Sequence, residues 1–195
     1  YLQFPIHFEV HPEGLQVCAW SSKHYEVLAF PTRHRVPTHG FLVREFQRMG
    51  SIRRSAIDSL GLTFEEIRKL KAGRPVRWGK ELVRPEDVCE PGLPARSYAF
   101  AADSRPSEDV VEAVRGVDCL YHEATFRSDL AARARDTGHS TAAQAGRVAW
   151  QAGVSRLVLG HFSGRYKDLA PLLIEAQAHF ERTELGFDGM VIDLA

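Results

Sequence analysis

The sequence is poor in the features that would settle its class at once. Only three of its 195 residues are cysteine, Cys18, Cys89 and Cys119, and none forms a CxxC pair. So sparse and odd a set argues against a disulfide framework. It predicts three mostly buried thiols in a reducing cytoplasm. No apolar run approaches the roughly 18 residues of a membrane span, and no charged-then-apolar signal segment opens the chain. Neither sign of charge is in excess, since 25 Lys plus Arg balance 25 Asp plus Glu. That excludes a wholesale basic binder of nucleic acid and leaves room for a local basic patch. There is no initiating Met; the chain starts at Tyr1 in strand-like sequence and reads as a piece of something longer. What is present, 44% apolar and 26% charged residues, is an ordinary globular composition for one domain.

Three regions differ in character. Residues 1–45 read as short strands at 4–10, 15–20, 25–30 and 41–45, split by Pro12-Glu13-Gly14, by Ser21-Ser22 and by a loop from Pro31 to Gly40. In the next region, Thr63-Phe64-Glu65-Glu66 is a capping box opening a helix that Gly73 closes. Leu60, Ile67 and Leu70 are too few to fill a core there. From Arg44 to Arg84 there are 11 basic and 5 acidic residues, a net of +6, which leaves −6 elsewhere. A basic arm on an acidic body is the simplest picture. Residues 96–195 alternate strands at 97–102, 117–121, 156–160 and 190–194 with helices at 107–114, 126–135, 140–152 and 168–180. That rhythm predicts an α/β layer fold with crossover helices packed on a sheet.

Three of these strands end in a residue able to bind metal or carry a proton: Asp103, His122-Glu123 and His161. Strand ends converge on the ligand crevice of an α/β sheet, and three in a row favour a site over satisfied structural residues. Asp and His are oxygen and nitrogen donors suited to Zn²⁺ or Mn²⁺, and an Asp can bridge two metals. His34, held between Pro31 and Pro37, is a fourth candidate or a solvent-exposed loop histidine. Gly138-His139-Ser140-Thr141 precedes an Ala-rich helix for which Ser140 is the expected N-cap. His139 is then either a proton donor beside a phosphate or an exposed residue before a capped helix. Glu123 could orient His139 and keep it protonated. Ser163, Arg165 and Arg105 are placed to meet a phosphate, with surface salt bridges as the alternative for the arginines. His7, His11, His24, His39 and His179 read as surface or structural. Trp20 and Trp150 read as packing residues, as does Trp78, whose alternative is stacking on a base.

The runs Arg33-His34-Arg35-Val36-Pro37, Ala102-Asp103-Ser104-Arg105-Pro106, His122-Glu123-Ala124-Thr125-Phe126, Gly138-His139-Ser140-Thr141 and His161-Phe162-Ser163-Gly164-Arg165-Tyr166 together resemble ribonuclease Z. That family comprises tRNA 3′-processing endoribonucleases of the metallo-β-lactamase superfamily. The resemblance implies an αββα sandwich, here incomplete: the C-terminal half plus part of the N-terminal sheet across residues 1–195, with 46–88 as an exosite-like insertion. It implies metal ligands at His34, Asp103 and His161, two Zn²⁺ per complete site or Mn²⁺ in their place, and a proton-delivering pair at His139 and Glu123. Ser163, Arg165, Arg105 and Ser140 would bind phosphate. Arg53, Arg54, Arg68, Lys69, Lys71 and Arg74 would grip precursor tRNA. A homodimer, a cytoplasmic location and no membrane partner are implied too.

The family's His-x-His-x-Asp-His metal motif has no counterpart here, and Gly73-Arg74-Pro75 is a poor match to the exosite's Gly-Pro element. Ala102, Ser104 and Gly164 replace the usual Gly, Thr and Ala, which are small-for-small changes. The chain is thus expected to be the C-terminal portion of the nuclease. The alternative is a non-catalytic RNA-binding or dimerisation module of the same fold. As a C-terminal portion, alone, the chain should expose an apolar sheet face or edge and tend to self-associate.

Overall fold

The β-rich and βαβ segments pair into one sheet, seen in a computed structural model that describes Gly14 and residues 16–194. The strand expected at 4–10, with His7 and His11, lies outside the described residues. The described residues form two compact units: Glu45–Ala95 is one, and the sequence up to Arg44 with that from Arg96 is the other.

The larger unit carries a seven-stranded mixed sheet. Its strands are β1 (Val17–Ser21), β2 (Tyr25–Thr32), β3 (Thr38–Glu45), β6 (Ser97–Ala101), β7 (Cys119–Glu123), β8 (Leu157–Gly160) and β9 (Thr183–Leu185), adjacent in that order. The β1–β2 and β3–β6 pairs are antiparallel, whereas β6, β7, β8 and β9 run parallel. The parallel strands are joined by crossovers containing α4 (Glu108–Ala113), α5 (Ala131–Thr137), α6 (Ala142–Ala152) and α7 (Ala170–Gln177). A parallel pair cannot be closed by a hairpin, so the crossovers place helices on the sheet. Leu42, Ala99, Leu120, Leu157 and Leu159 meet Val110, Val148 and Leu172 there in the main core. Side chains alternate along a strand, so the opposite face carries Phe41, Phe100, Tyr121 and Val158 in register. Phe100 stacks on Tyr121 with centroids 4.7 Å apart, yet Phe41 and Phe100 stay 42% and 39% exposed.

Local chemistry explains several boundaries. Thr141 caps α6, with a capping box closed by Gln144; the expected cap, Ser140, is one residue too early. Gly146 lets α6 approach α7 so closely that a Cβ would sit 2.5 Å from the Ala176 carbonyl oxygen. The strand expected at 117–121 extends through His122 and Glu123. The one expected at 190–194 is absent, and Thr183–Leu185 pairs with β8 instead. No helix among the described residues is long and apolar enough to cross a membrane.

The smaller unit contains α1 (Arg54–Leu60), α2 (Phe64–Lys71), a hairpin of β4 (Val76–Trp78) and β5 (Glu81–Val83), and α3 (Pro85–Val88). The capping box at Thr63 and Glu66 is present, and Gly73 follows α2 at φ +74°. Contrary to expectation, the unit has its own core. Leu62, Leu70, Val76, Val83, Val88 and Cys89 cluster, joined by Ile52, Leu60 and Ile67. The apolar residues are spread over four elements, so no single amphipathic stripe announces them.

Two further expectations fail on exposure. Cys89 and Cys119 are buried but Cys18 is exposed. Trp20 and Trp150 are 50% and 69% exposed, so neither is a core residue. Trp78 is half exposed, and its Nε1–H donates to the Leu60 carbonyl at 2.7 Å.

Candidate active site

The parallel strands deliver Asp103, Glu123 and His161 to one end of the sheet. Asp103 and His161 follow β6 and β8 with positive φ, 49° and 55°, the only such non-glycine residues described. Left-handed backbone at two neighbouring strand exits is a strained arrangement of the kind that marks functional sites. It brings His161 Nε2 to 3.2 Å from Asp103 Oδ1. Ligand atoms of Asp103, Glu123, His139 and His161 all lie within 4.8 Å of one another.

Glu123 organises this cluster. Its side chain is fully buried and accepts four hydrogen bonds. Oε1 receives the Ser104 backbone N–H at 2.7 Å and His139 Nδ1–H at 2.9 Å. Oε2 receives the Thr125 hydroxyl at 2.6 Å and the Ser140 backbone N–H at 3.0 Å. A carboxylate offers about four lone-pair sites, so Glu123 has none left for a metal. Of the four clustered residues it is the one to exclude as a ligand.

The same bonds fix the imidazoles. The single Thr125 hydroxyl hydrogen goes to the carboxylate, so Oγ1 must accept from His161 Nδ1–H, 2.9 Å away. His161 therefore turns Nε2, the nitrogen a metal would take in its unprotonated form, toward Asp103. His34 is half buried, and its Nδ1–H donates to the Gly138 carbonyl at 2.9 Å, which likewise leaves Nε2 as the donor atom. Gly138 has φ +83°, and a Cβ on it would lie 2.6 Å from His34 Nδ1. The His34 and His139 rings are 5.0 Å apart and the His139 and His161 rings 5.3 Å apart. Asp103 and His161 offer oxygen and nitrogen donors that suit a divalent metal, whereas His34 is not among the residues whose ligand atoms converge there. His139, tied to Glu123 through Nδ1, keeps Nε2 for a proton.

The remaining expected site residues divide. Arg165 lies over the Phe126 ring at 5.1 Å and donates Nε–H to Ser163 Oγ at 3.0 Å; Phe126 meets His139 edge-on. Arg105 is exposed. Ser140 is a correction: it is fully buried, with its hydroxyl donating to the Ser104 carbonyl at 2.6 Å. It belongs to the Glu123 network and is closed to a phosphate. In the smaller unit, Arg53 bonds the Asp87 and Cys89 carbonyls, Arg54 pairs with Asp58 and Lys69 with Glu65, whereas Arg68, Lys71 and Arg74 are exposed. Over Glu45–Ala95 there are 10 basic and 8 acidic residues, a net of +2, because Arg44 falls outside this unit and Glu86, Asp87 and Glu90 fall within it.

Sequence reasoning missed Thr125. Its signal was its place two residues after Glu123, a spacing that can return a side chain to the same side. His122 is fully buried on the helix side, with Nδ1–H donating to the Glu123 carbonyl at 2.8 Å. Burial holds its pKa below the ordinary value.

The chain is similar to known proteins. The chain is 38% identical to a protein named Ribonuclease Z from Cytophaga hutchinsonii over 96% of this chain and 60% of that protein. It is 39% identical to one from Bacteroides thetaiotaomicron over 99% of this chain and 61% of that one. Among solved structures, the short form of human tRNase Z aligns with a TM-score of 0.54 at 21% identity, covering 92% of this chain and 47% of that one. A metallo-β-lactamase fold protein from Bacillus subtilis aligns with a TM-score of 0.57 at 14% identity, over 94% and 54% of the two chains. These alignments establish the fold as part of a metallo-β-lactamase fold. No protein-family model matches the chain. The chain is thus a homologue of the ribonuclease Z proteins and spans about 60% of the length of the relatives it matches.

Proposed function

We propose that this chain supplies the proton-delivering half of an endoribonuclease that removes the 3′ trailer of precursor tRNA and leaves a 3′-hydroxyl. The observation that carries the reading is the buried Glu123 carboxylate bonded to His139 Nδ1 at 2.9 Å, beside Asp103 and His161 at 3.2 Å. A divalent metal, Zn²⁺ or Mn²⁺, would be held by Asp103, His161 and His34. When bound it supplies Lewis-acid polarisation of a phosphate and lowers the pKa of a water. The chain's own residues do the rest. Glu123 fixes the orientation of the His139 ring through Nδ1. As a water oxygen bonds to the phosphorus and the bond to the 3′ oxygen breaks, His139 Nε2 hands a proton to that departing oxygen, and the trailer keeps the phosphate. Arg165, stacked on Phe126, stands ready to meet a phosphate.

In this reading residues 46–88 act as the tRNA-gripping arm, with Arg68, Lys71 and Arg74 as its exposed charges. Phosphate contacts supply most sequence-independent RNA affinity. A reducing cytoplasm suits the three free thiols, and the resemblance adds a homodimer. One observation favours a second reading, a non-catalytic RNA-binding module: three donors are too few for two metals.

Incubation of a trailer-bearing precursor tRNA with this chain and added Zn²⁺ or Mn²⁺ tests both. Cleavage that disappears in His139→Ala supports the nuclease reading, and cleavage that survives the substitution overturns the role of His139. Binding without cleavage would make the chain the recognition-bearing portion of such a nuclease; binding RNA but neither Zn²⁺ nor Mn²⁺ would favour the second reading.

A further inference from the structure

Two cavities flank the cluster, and their linings differ. The one at His161 is walled by Tyr98, Tyr121, Phe162, Phe187 and Asp188, with no arginine or lysine in its lining. The one at His139 has a volume of about 570 Å³ and is lined by Arg33, Arg105, Arg135 and Gln144. That volume falls within the roughly 300–1,000 Å³ of ligand clefts.

The second cavity is built with unbalanced charge. The backbones of Arg33 and Arg105 form an antiparallel bridge, with Arg105 N–H donating to the Arg33 carbonyl at 2.7 Å. Like charges directly opposite across such a bridge repel one another. Asp109 takes up only the Arg33 guanidinium, at 2.7 Å. Arg105 has no ion-pair partner among the described residues, and Arg135 has only the exposed Asp136 at 3.5 Å. Two incompletely compensated guanidiniums and His139 share one cavity, which is an arrangement for an anion with several phosphates.

The direction of the reaction says which part of the RNA this is. The oxygen that leaves belongs to the nucleotide on the 5′ side of the cut, and the acid that protonates it faces that nucleotide. We infer that the Arg33–Arg105–Arg135 cavity binds the backbone of the RNA 5′ to the scissile phosphate, the 3′ end of the mature product, and not the trailer. The inference rests on the role of His139 proposed above.

The test is binding by this chain of two RNA probes across a salt series. One is an acceptor-stem minihelix ending in a 3′-hydroxyl and the other a single-stranded trailer oligonucleotide. Replacing Arg105 and Arg135 with Ala touches only exposed side chains. It should weaken the minihelix about tenfold, reduce its salt slope by about one per arginine, and leave the trailer oligonucleotide unchanged. Equal minihelix binding by wild type and variant overturns the inference, as does an equal loss for both probes. A wild-type chain that binds neither RNA overturns the nuclease reading beneath it.

Discussion

The two units hold themselves together by different means. In the larger one, the Glu123 carboxyl group sits fully buried among four donors drawn from three separate loops. In the smaller one, the polar interactions are local and exposed: the Thr63–Glu66 box and the pairs Arg54–Asp58 and Lys69–Glu65. A buried network is costly to leave half-satisfied, so it fixes geometry; exposed pairs contribute little and leave their surroundings adaptable. The contrast matches what each unit would have to do. Proton transfer needs atoms held to fractions of an ångström, whereas a charged arm needs only exposed cations within reach of phosphates.

That contrast can be broken at four places. Glu123→Ala strands two backbone N–H groups, a hydroxyl and an imidazole in a buried site. Urea unfolding should register a loss of about 4 kcal/mol. A loss no larger than that of an exposed residue would mean the network does not organise the unit. Gly138→Ala puts a methyl at φ +83° against His34. It should destabilise by on the order of 2 kcal/mol, and the His34 side-chain resonances should move in the NMR spectrum.

The third is a pH effect confined to the larger unit. Burial depresses the folded-state pKa of His122 below the ordinary histidine value of 6.5. The unfolded chain then takes up a proton first, so stability is full above about pH 6.5. It falls as the pH drops below that, by at most about 1.4 kcal/mol per pH unit. Denaturation midpoints at pH 7.5 and 5.5 should differ in the wild type and converge in His122→Leu. The smallest effect belongs to the smaller unit. Thr63→Ala removes the α2 cap and should be worth about 1 kcal/mol, read by hydrogen exchange in residues 45–95, with the larger unit unaffected. A change that spreads to the larger unit would erase the distinction between the two.

Much of the larger unit was legible because its signals are local. Strands 25–30 and 97–102, the helix after Ser107 and the chemistry-bearing residues at strand ends follow from alternation, caps and position. The errors arose where tertiary contacts decide. Ser140 and Thr141 are equally good caps by type, and only the pull of Glu123 and the Ser104 carbonyl turns Ser140 inward. The last strand fell at Thr183–Leu185, in sequence with little β-character, because β8 offered an edge. The core of the smaller unit was hidden because Leu70, Val76, Val83 and Val88 come from different elements and Leu62 from the turn before α2. In the site, Asp103, His139 and His161 stood out by type and place. Thr125, which joins His161 to Glu123, carried no chemical label of its own.

The account's central claim is that Glu123 and its neighbours hold His139 and His161 as imidazoles protonated at Nδ1, with Nε2 turned out for a proton and a metal. Long-range ¹H–¹⁵N correlation of the histidine side chains in this chain tests that directly, without substrate. The account predicts a protonated Nδ1 in both rings, and in Thr125→Val a loss of that state at His161 while His139 keeps it. An Nε2-protonated, Nδ1-bare tautomer at either histidine in the wild type would contradict it.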